Sequence, residues 1–386
     1  MLFSFKGGSD GWSPQARLLY DNGELYGTTV NGGTPRCGLL SCGTIFKVNL
    51  HGAARVLHRF GGPPNDGVSP YAGLTLLNGK FYGTTCCGGS NYQYGTVYEM
   101  DAAGNERVLY NFDGVDGDWP SADLTVLNGS LYGTTRYGGP PRFPCYGTGS
   151  SVSCGNVFEV TTSGKERSVY NFQGASHPSD GVLPYGYVAD VDGVLYGTTG
   201  YGGNRGGGTV YRLTRSGKER VLYSFTGGDD GGYPYAGLTP LDGELYGTTG
   251  TFGPYGSGTA FKISTSGELR VLHAFKGYPS DGTAPQALIA VNGTLFGTTG
   301  LGGEHSCRIG TKPVGCGTVF EMTTSGRETI LHDFKGGKDG AFPDAALTAV
   351  DGTLYGTTSA GGTGTCTPSY GTGCGTVFEL TGYIKE

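Results

Sequence analysis

One short string repeats along the chain and constrains the fold more than any other feature. Leu-Tyr-Gly-Thr-Thr, with small variations, occurs seven times in the 386 residues. The copies begin at Leu25, Phe81, Leu131, Leu195, Leu245, Leu295 and Leu354, so the shortest period is 50 residues and longer spacings indicate insertions. A fixed period of this length is typical of a repeat architecture, in which each unit buries its apolar surface against its neighbours.

Each copy of the repeat contains four short segments with the composition of β-strands. In the second copy they are residues 72–77, 80–85, 95–100 and 107–112, which we name strands a, b, c and d. β-Branched and aromatic residues, which favour strands, are abundant in them. Asn78-Gly79 predicts a tight hairpin between strands a and b, because both residues tolerate positive φ angles. No segment shows a helical period over about 11 residues or more.

Four strands in every copy predict an all-β fold, a seven-bladed β-propeller with four-stranded blades. A linear β-solenoid is the alternative, and the two ends of the chain favour the propeller. The chain begins with a lone strand d at residues 2–5 and ends with strand c at residues 375–380. Pairing these strands closes the ring and removes two exposed sheet edges, whereas a solenoid gains nothing from the offset.

We therefore expect residues 1–386 to form a single propeller domain. The approximate blade bounds are 7–60, 61–112, 113–172, 173–225, 226–275, 276–334 and 335–386, the last completed by residues 1–6. The a–b and c–d turns are short, and the d–a and b–c connections are long. Because strand direction alternates, both long connections lie on one face, which we call the loop face and expect to carry the function.

Composition excludes several classes of partner. The 77 glycines and 19 prolines recur at fixed places in the repeat, so they do not indicate disorder. The net charge of −6 comes from scattered residues, without the basic cluster that nucleic-acid binding needs. No stretch approaches the ~18 apolar residues of a membrane span. We expect a monomer that has no nucleic-acid partner and no membrane span in this chain.

All ten cysteines lie in the b–c segments. Four pairs each bracket an inserted loop: Cys37 and Cys42, Cys145 and Cys154, Cys307 and Cys316, Cys366 and Cys374. They lack the grouping of a metal site, so we predict four local disulfides and an extracellular or cell-surface location. For the adjacent Cys86 and Cys87 we favour a vicinal disulfide over two free thiols or bonds to another chain, because every other cysteine has a local mate.

An Asp-Gly-x-x-Pro motif recurs in every d–a connection. Its aspartates are Asp10, Asp66, Asp116, Asp180, Asp230, Asp281 and Asp339. Seven carboxylates around a ring raise the possibility of calcium, but calcium needs six to eight oxygens that converge on one point. We predict instead a turn in which each aspartate accepts hydrogen bonds from nearby backbone N–H groups. No cofactor or metal is expected.

The repeat resembles a known family. The pattern Leu-Tyr-Gly-Thr-Thr-x-x-Gly-Gly…Gly-Thr-Val-Phe-Glu, as at residues 245–249 and 317–321, is similar to the Gloeo/Verruco tandem repeat of bacterial surface proteins. The resemblance covers essentially the whole chain and implies an exported protein, often tethered by a C-terminal anchor. It assigns no catalytic residues. Because Met1 runs straight into the middle of a repeat, we expect a mature domain cut from a longer precursor, and residues 382–386 show no anchor sequence.

Positions that differ between copies are the candidates for function, since positions shared by all copies serve the scaffold. The residues after each motif proline are predicted to line the mouth of the ring, where Arg17, Asp123 and Tyr187 replace small residues. Aromatic residues of the long connections lie just above. The predicted ligand-binding set is Trp12, Arg17, Tyr71, Trp119, Asp123, Arg136, Tyr137, Tyr185, Tyr187, Tyr233 and Tyr235.

This composition suits a glycan, because aromatic rings stack on sugar C–H surfaces and polar groups fix hydroxyls. We therefore predict a secreted or cell-surface module that binds a glycan or another extracellular ligand. The alternative is a carbohydrate-active enzyme, a polysaccharide lyase or glycoside hydrolase, with Tyr187, Arg17, Asp123, Arg136 and His305 as candidate catalytic residues. No catalytic motif fixes their separation. A structural platform for protein partners is the third hypothesis.

Overall fold

The computed structural model consists of seven four-stranded antiparallel sheets, the blades of a β-propeller. It describes residues 1–33, 37, 42–90, 93–140, 145, 153–174, 177, 179–367 and 371–384. In every blade the strand order is a-b-c-d, with strand a innermost and strand d at the outer rim. The seven-bladed fold predicted from the repeat is confirmed.

The strands of each blade follow in the order a to d. Blade 1 has Leu19–Asp21, Glu24–Thr29, Thr44–Asn49 and Ala54–Arg59; blade 2 has Thr75–Leu77, Lys80–Thr85, Thr96–Met100 and Glu106–Asn111. Blade 3 has Thr125–Leu127, Ser130–Tyr137, Asn156–Thr161 and Glu166–Asn171; blade 4 has Ala189–Val191, Val194–Thr199, Thr209–Thr214 and Glu219–Ser224. Blade 5 has Thr239–Leu241, Glu244–Thr249, Thr259–Ser264 and Leu269–Ala274; blade 6 has Ile289–Val291, Thr294–Gly302, Thr318–Thr323 and Glu328–Asp333. Blade 7 has Thr348–Val350, Thr353–Thr358, Thr376–Thr381 and, as its strand d, Phe3–Ser4.

Shorter elements occupy the loop face. They are the strands Gly67–Val68, Cys87–Gly88, Asp118–Pro120, Gly181–Val182, Tyr201–Gly202, Gly282–Pro285, Arg308–Ile309 and Lys312–Pro313, and the 3-10 helices Gly8–Asp10 and Gly337–Asp339. In each blade the d–a connection pairs with the b–c connection, as where Gly67 pairs with Gly88 and Val68 with Cys87. These pairings hold the long connections in defined positions. The described residues include no helix that is long and apolar enough to cross a membrane.

The central glycine of the repeated string is required by packing within each blade. A Cβ on Gly27 would lie 2.6 Å from Cζ of Phe46 on strand c, and one on Gly247 would lie equally close to Phe261. The threonine that follows, such as Thr28, donates from its hydroxyl to the carbonyl of Ala72 in the next blade at 2.9 Å. The string therefore packs a strand and joins neighbouring blades.

The residue before each motif proline is left-handed in all seven copies. Its φ lies between 54° and 59°, although none of the seven residues is glycine. Leu183, for example, donates its N–H to the carbonyl of Cys154 in blade 3 at 2.9 Å and accepts from the N–H of Gly200 in blade 4 at 2.9 Å. Left-handed backbone is costly for such residues. Here it joins two blades at each junction.

The ring closes between the two ends of the chain, as predicted. Phe3 pairs with Val377 and Ser4 with Thr376. Blade 1 is then joined to blade 7 by the N–H of Ser13, which donates to the carbonyl of Cys374 at 3.0 Å. The apolar core is likewise divided among the blade junctions, in seven clusters that each contain residues of adjacent blades.

The cysteines confirm one prediction and correct another. The four expected disulfides form, with Cα–Cα separations of 4.9–5.3 Å. The vicinal disulfide that we favoured is not formed: Cys86 and Cys87 are free thiols whose sulfur atoms lie 2.9 Å apart. Cys87 pairs with Val68, and the N–H of Cys86 donates to the carbonyl of Ser69 at 3.3 Å.

The motif aspartates make the predicted turn and a further contact. The carboxylate of Asp180, for example, accepts from the backbone N–H groups of Gln173 at 2.8 Å and Gly181 at 2.8 Å. It also accepts from the hydroxyl of Tyr170 on strand d at 3.1 Å. In five other blades this partner is a tyrosine or a histidine, whereas blade 7 has Phe3 at the corresponding position. Each such aspartate therefore ties the d–a connection to the outer strand.

Candidate binding site at the channel mouth

The first residues after the motif prolines meet around the propeller axis, where the sequence placed them. They line a cavity of about 120 Å³ at the loop face. Its upper ring, one residue from each blade, consists of Gln15, Tyr71, Ser121, Tyr185, Tyr235, Gln286 and Asp344. The repeat itself does not require these side chains, because the backbone makes the contacts between blades.

Below the upper ring, Arg17, Asp123 and Tyr187 form what we call the throat. They also line a second cavity of about 500 Å³ along strand a, toward the a–b turns. Nε of Arg17 lies 3.5 Å from Oδ2 of Asp123, and Oδ1 of Asp123 accepts from the N–H of Gly73 at 2.6 Å. Burial raises the pKa of Tyr187 above its usual value. The three departures from the repeat thus contact one another or their small neighbours.

The small residues of the same ring accommodate these large ones. A Cβ on Gly237 would lie 2.6 Å from Cδ1 of Tyr187, and a Cβ on Gly73 would lie 3.0 Å from Oδ1 of Asp123. Both glycines are therefore explained by the neighbouring blade. The throat is consequently part of the packing of the channel as well as a surface that a ligand could touch.

Aromatic rings form a continuous arc over blades 3 to 5, which we call the aromatic arc. Its members are Trp119, Tyr137, Tyr185, Tyr201, Tyr233, Tyr235 and Phe252, together with Arg136. The rings of Tyr185 and Tyr235 are 4.7 Å apart at their centroids, and those of Tyr201 and Tyr233 are 4.6 Å apart. The hydroxyls of Tyr201 and Tyr235 lie 3.1 Å apart. The arc therefore presents ring edges and hydroxyls on the same surface.

Arg136 joins two parts of the arc. Its guanidinium carbon lies 4.3 Å from the ring centroid of Tyr185, 5.1 Å from that of Tyr137 and 5.8 Å from that of Trp119. These are cation–π distances, which favour a fixed guanidinium. Arg136 is the residue that follows the repeated string in blade 3, where blades 4 and 5 have glycine. A glycine there leaves room for the tyrosines, since a Cβ on Gly200 would lie 2.8 Å from the ring of Tyr185.

Three of the predicted residues lie outside the aromatic arc, although Tyr71 stands in the upper ring. Trp12 packs against the core cluster of the closing junction, beside the first strand and Cys366. Tyr71 lies near Cys86 and Cys87, whose charges contribute, after burial, to a raised pKa of its hydroxyl. His305 contacts Asp333 on the outer strand of blade 6, with Nδ1 3.5 Å from Oδ2. The structure does not bring these three residues into the aromatic arc.

Phe252 and Tyr201 are the arc residues that the predicted ligand-binding set lacks, and Phe252 was not singled out at all. It packs against Tyr233 at 5.1 Å, is 38% exposed and has a φ of 61°. The signal was present in the sequence, since Phe252 stands in a b–c connection at a place where other copies have glycine. Asp344 was also omitted from the predicted set. Burial raises its pKa to about 6, and the hydroxyl of Ser359 donates to it at 2.7 Å.

The fold and the site together define a class of protein: a seven-bladed β-propeller with a narrow axial throat and an aromatic loop face. The chain belongs to the Gloeobacter/Verrucomicrobia repeat family, whose model matches residues 1–145 and 145–311. The resemblance inferred from the repeated string is thereby confirmed. A comparison with curated protein sequences finds none that matches the chain.

Several solved structures are similar to this chain. A Bacteroides uniformis protein described as a 6-phosphogluconolactonase matches with a TM-score of 0.53 and 14% identity, over 87% of this chain and 89% of its own. The tricorn protease matches with a TM-score of 0.45 and 11% identity, over 89% of this chain and 27% of its own. A luciferin-regenerating enzyme matches with a TM-score of 0.45 and 11% identity, over 97% of this chain and 92% of its own. At such identities the likeness concerns the fold alone.

Proposed function

We propose that this protein is a secreted or cell-surface binding module that takes a glycan across the aromatic arc and the upper ring. The observation that carries the proposal is the arc itself, a continuous aromatic surface that borders the channel mouth. Sugar C–H faces pack on aromatic rings, while hydroxyls need polar partners at fixed positions. The arc supplies tyrosine hydroxyls, and Gln15, Gln286 and Asp344 face it across the mouth.

Two further observations support this proposal. The four disulfides suit an oxidising compartment, where extracellular glycans occur. In the throat, the carboxylate of Asp123 is engaged by Arg17 and by the N–H of Gly73. Both contacts hold the Asp123 side chain against the wall of the channel. His305, the other candidate catalytic base, lies with Asp333 at the outer strand.

The test is a binding measurement with a panel of soluble polysaccharides and oligosaccharides, followed by isothermal titration of those that bind. Replacing Tyr185 or Tyr235 by alanine should weaken binding about tenfold or more, equivalent to ~1.4 kcal/mol for one lost stacking and hydrogen-bonding residue. Tyr255→Ala is the matched control, because Tyr255 is 58% exposed in a loop-face connection and makes none of the ring contacts of the arc. It should bind like the parent protein.

The same panel distinguishes the enzymatic alternative. New reducing ends, or absorbance from unsaturated sugars, would show a hydrolase or a lyase and would replace the binding-module proposal. Binding that survives both tyrosine substitutions would place the ligand away from the arc. If the protein retains no carbohydrate of the panel, the glycan assignment is wrong.

A further inference from the structure

The outer rim contains a second kind of site, at the junctions between blades. At most junctions a tyrosine or histidine of strand d contacts the motif aspartate, and a glutamate from strand d of the next blade lies beside them. At two junctions the strand d residue is histidine and the glutamate is present. We call these the rim triads: His58, Asp66 and Glu106, and His273, Asp281 and Glu328.

The first rim triad joins blades 1 and 2. Nε2 of His58 lies 3.2 Å from Oδ2 of Asp66 and 3.7 Å from Oε2 of Glu106. Ligands held about 2.0–2.2 Å from a tetrahedral zinc ion lie roughly 3.2–3.6 Å from one another. In the second triad, between blades 5 and 6, Nε2 of His273 lies 3.2 Å from Oδ2 of Asp281. In each triad the potential ligand atoms all lie within 4.8 Å of one another.

In both triads one oxygen of the glutamate carboxyl is buried and has no hydrogen-bond partner. The side chain of Glu106 is only 5% exposed, and its Oε1 has no hydrogen-bond partner. Oε1 of Glu328 is likewise buried without a partner, and so is Oε1 of Glu219 at a junction that has tyrosine in place of histidine, so the imidazole nitrogen is what distinguishes the two triads. A buried carboxyl oxygen that lacks a partner is costly, and a bound cation would satisfy it.

The other ligands are held by their surroundings. Asp66 accepts from the N–H groups of Gly61 at 2.6 Å and Gly67 at 2.7 Å, and Asp281 accepts from the corresponding groups of Lys276 and Gly282. Each imidazole ring stands edge-on to a phenylalanine two residues further along the chain, with centroids 4.9 Å apart for His58 and 4.7 Å for His273. Such outer contacts orient the ligands of a metal ion.

We propose that each rim triad binds one divalent transition-metal ion of the zinc class. One imidazole nitrogen and two carboxylates are borderline ligands that suit Zn²⁺ and leave a fourth position for water. Calcium is a poorer fit, because it prefers six to eight oxygen ligands. The two ions would join neighbouring blades at the rim, so they would stabilise the ring independently of the glycan proposed for the mouth.

The chain contains its own comparison. At the junction of blades 3 and 4, Tyr170 replaces the histidine, while Asp180 and Glu219 occupy the positions of the aspartate and the glutamate. The tyrosine hydroxyl donates to Asp180 at 3.1 Å and offers no imidazole nitrogen. This junction keeps the geometry and the buried carboxyl but lacks the nitrogen ligand, so it should not bind the ion.

The experiment uses full-length protein without a histidine tag, with Cys86 and Cys87 alkylated so that their thiols cannot bind metal. Metal-free protein is titrated with Zn²⁺ against a chromophoric chelator, and Co²⁺ is then used as a spectroscopic probe. We expect two equivalents of Zn²⁺ and a Co²⁺ spectrum of nitrogen and oxygen ligands. We also expect the melting temperature to rise with Zn²⁺, because a ligand of the native state stabilises it.

The substitutions exchange residues that occur at the same position in different blades, so the variants should fold. His58→Tyr and His273→Tyr introduce the residue of sister blades, and each should remove one equivalent of Zn²⁺; the double variant should bind none. Tyr170→His should add a third equivalent. His305→Ala, a control outside the triads, should leave the stoichiometry at two. Absence of bound Zn²⁺ in the parent protein, or retention of both equivalents in the double variant, would overturn the proposal.

Discussion

At the residue scale, the throat illustrates how departures from the repeat depend on one another. The ring of Tyr187 occupies the space that a side chain on Gly237 would need. The carboxylate of Asp123 likewise lies where a side chain on Gly73 would come into close contact. Arg17 then balances the charge of Asp123 at 3.5 Å. From the sequence alone, Tyr187 looked replaceable, since other copies have glycine or alanine there. The structure places its ring against the neighbouring blade, so its substitution should affect packing as well.

Adding a methyl group at Gly237 tests this packing. Gly237→Ala would place a Cβ 2.6 Å from Tyr187, and we expect a loss of about 1–3 kcal/mol in the free energy of unfolding, as for overpacked cores. Gly61→Ala is the control, because the nearest atom to its Cβ would be 3.4 Å away. Denaturation in guanidinium chloride measures both. Equal stabilities would show that the throat tolerates rearrangement.

The buried carboxyl of Glu219, between two blades, should make the stability of the protein depend on pH. Burial, followed by the nearby charge of Asp180, raises the pKa of Glu219 to about 7. The folded protein therefore keeps this proton up to about pH 7, whereas the unfolded chain loses it near pH 4.3. Because the folded state binds more protons in this window, the stability contributed by the neutral carboxyl falls as pH rises through it.

The measurement is the melting temperature as a function of pH. The melting temperature of Glu219→Gln should fall less than that of the parent protein between about pH 4.5 and 7, since the amide cannot ionise. Glu268→Gln is the control, because Glu268 is exposed beside the corresponding strand of blade 5. A Glu219→Gln profile parallel to the parent profile would contradict the raised pKa.

At the scale of elements, the d–a connections set the spacing of the blades. Each reaches the preceding blade through its left-handed residue, and all but the Asp10 connection also do so through the motif aspartate. Each enters the mouth directly after the proline. Ligand-facing residues such as Tyr185 and Tyr235 therefore stand on backbone that is fixed by hydrogen bonds on both sides. A binding surface made from such connections is preorganised, which lowers the entropy cost of binding.

Ala284, the left-handed residue of blade 6, gives a matched pair of substitutions. Its φ of 55° is unfavourable for a β-branched side chain, so Ala284→Val should lower the unfolding free energy by about 1–3 kcal/mol. Ala284→Gly should be close to neutral or stabilising, because glycine adopts this conformation without steric cost. Denaturant titration measures both variants. If valine is tolerated as well as glycine, the strain at this position is unimportant.

At the scale of the whole molecule, closure determines whether seven similar blades form one ring. Strand d of blade 7 comes from the N-terminus, and the strand pairing and the Ser13–Cys374 hydrogen bond lie on either side of the same junction. The first and last parts of the chain are thereby held together, and no blade presents an incomplete sheet. Such closure removes edges that would otherwise pair with other chains.

Deleting residues 1–6 tests closure. The deletion removes a strand and the buried ring of Phe5 from the closing junction, so we expect the melting temperature to fall by several degrees and the protein to self-associate. Removal of Met1 alone, which is exposed, is the control. Differential scanning fluorimetry and light scattering follow the two effects. A deletion variant that melts like the control would contradict the importance of this strand.

The sequence by itself determined the architecture. A 50-residue period with four strands and a hairpin signal in each copy defines the blades, and the unpaired strand at each end defines the closure. Four cysteine pairs could be assigned because their members are close in the chain. The ring of mouth residues could be placed because every copy contributes the same register position. All of these follow from short-range patterns, which backbone hydrogen bonding and turn geometry translate directly into structure.

Only the tertiary structure decided which side chains meet. The aromatic arc brings Trp119 and Phe252 into one surface, and the first rim triad joins His58 to Glu106 from the next blade. Cys86 and Cys87 proved to be free thiols. Contacts between neighbouring blades involve residues about one repeat apart, and they depend on blade spacing and side-chain direction. These quantities follow from packing across the junctions, which the pattern within one copy does not specify.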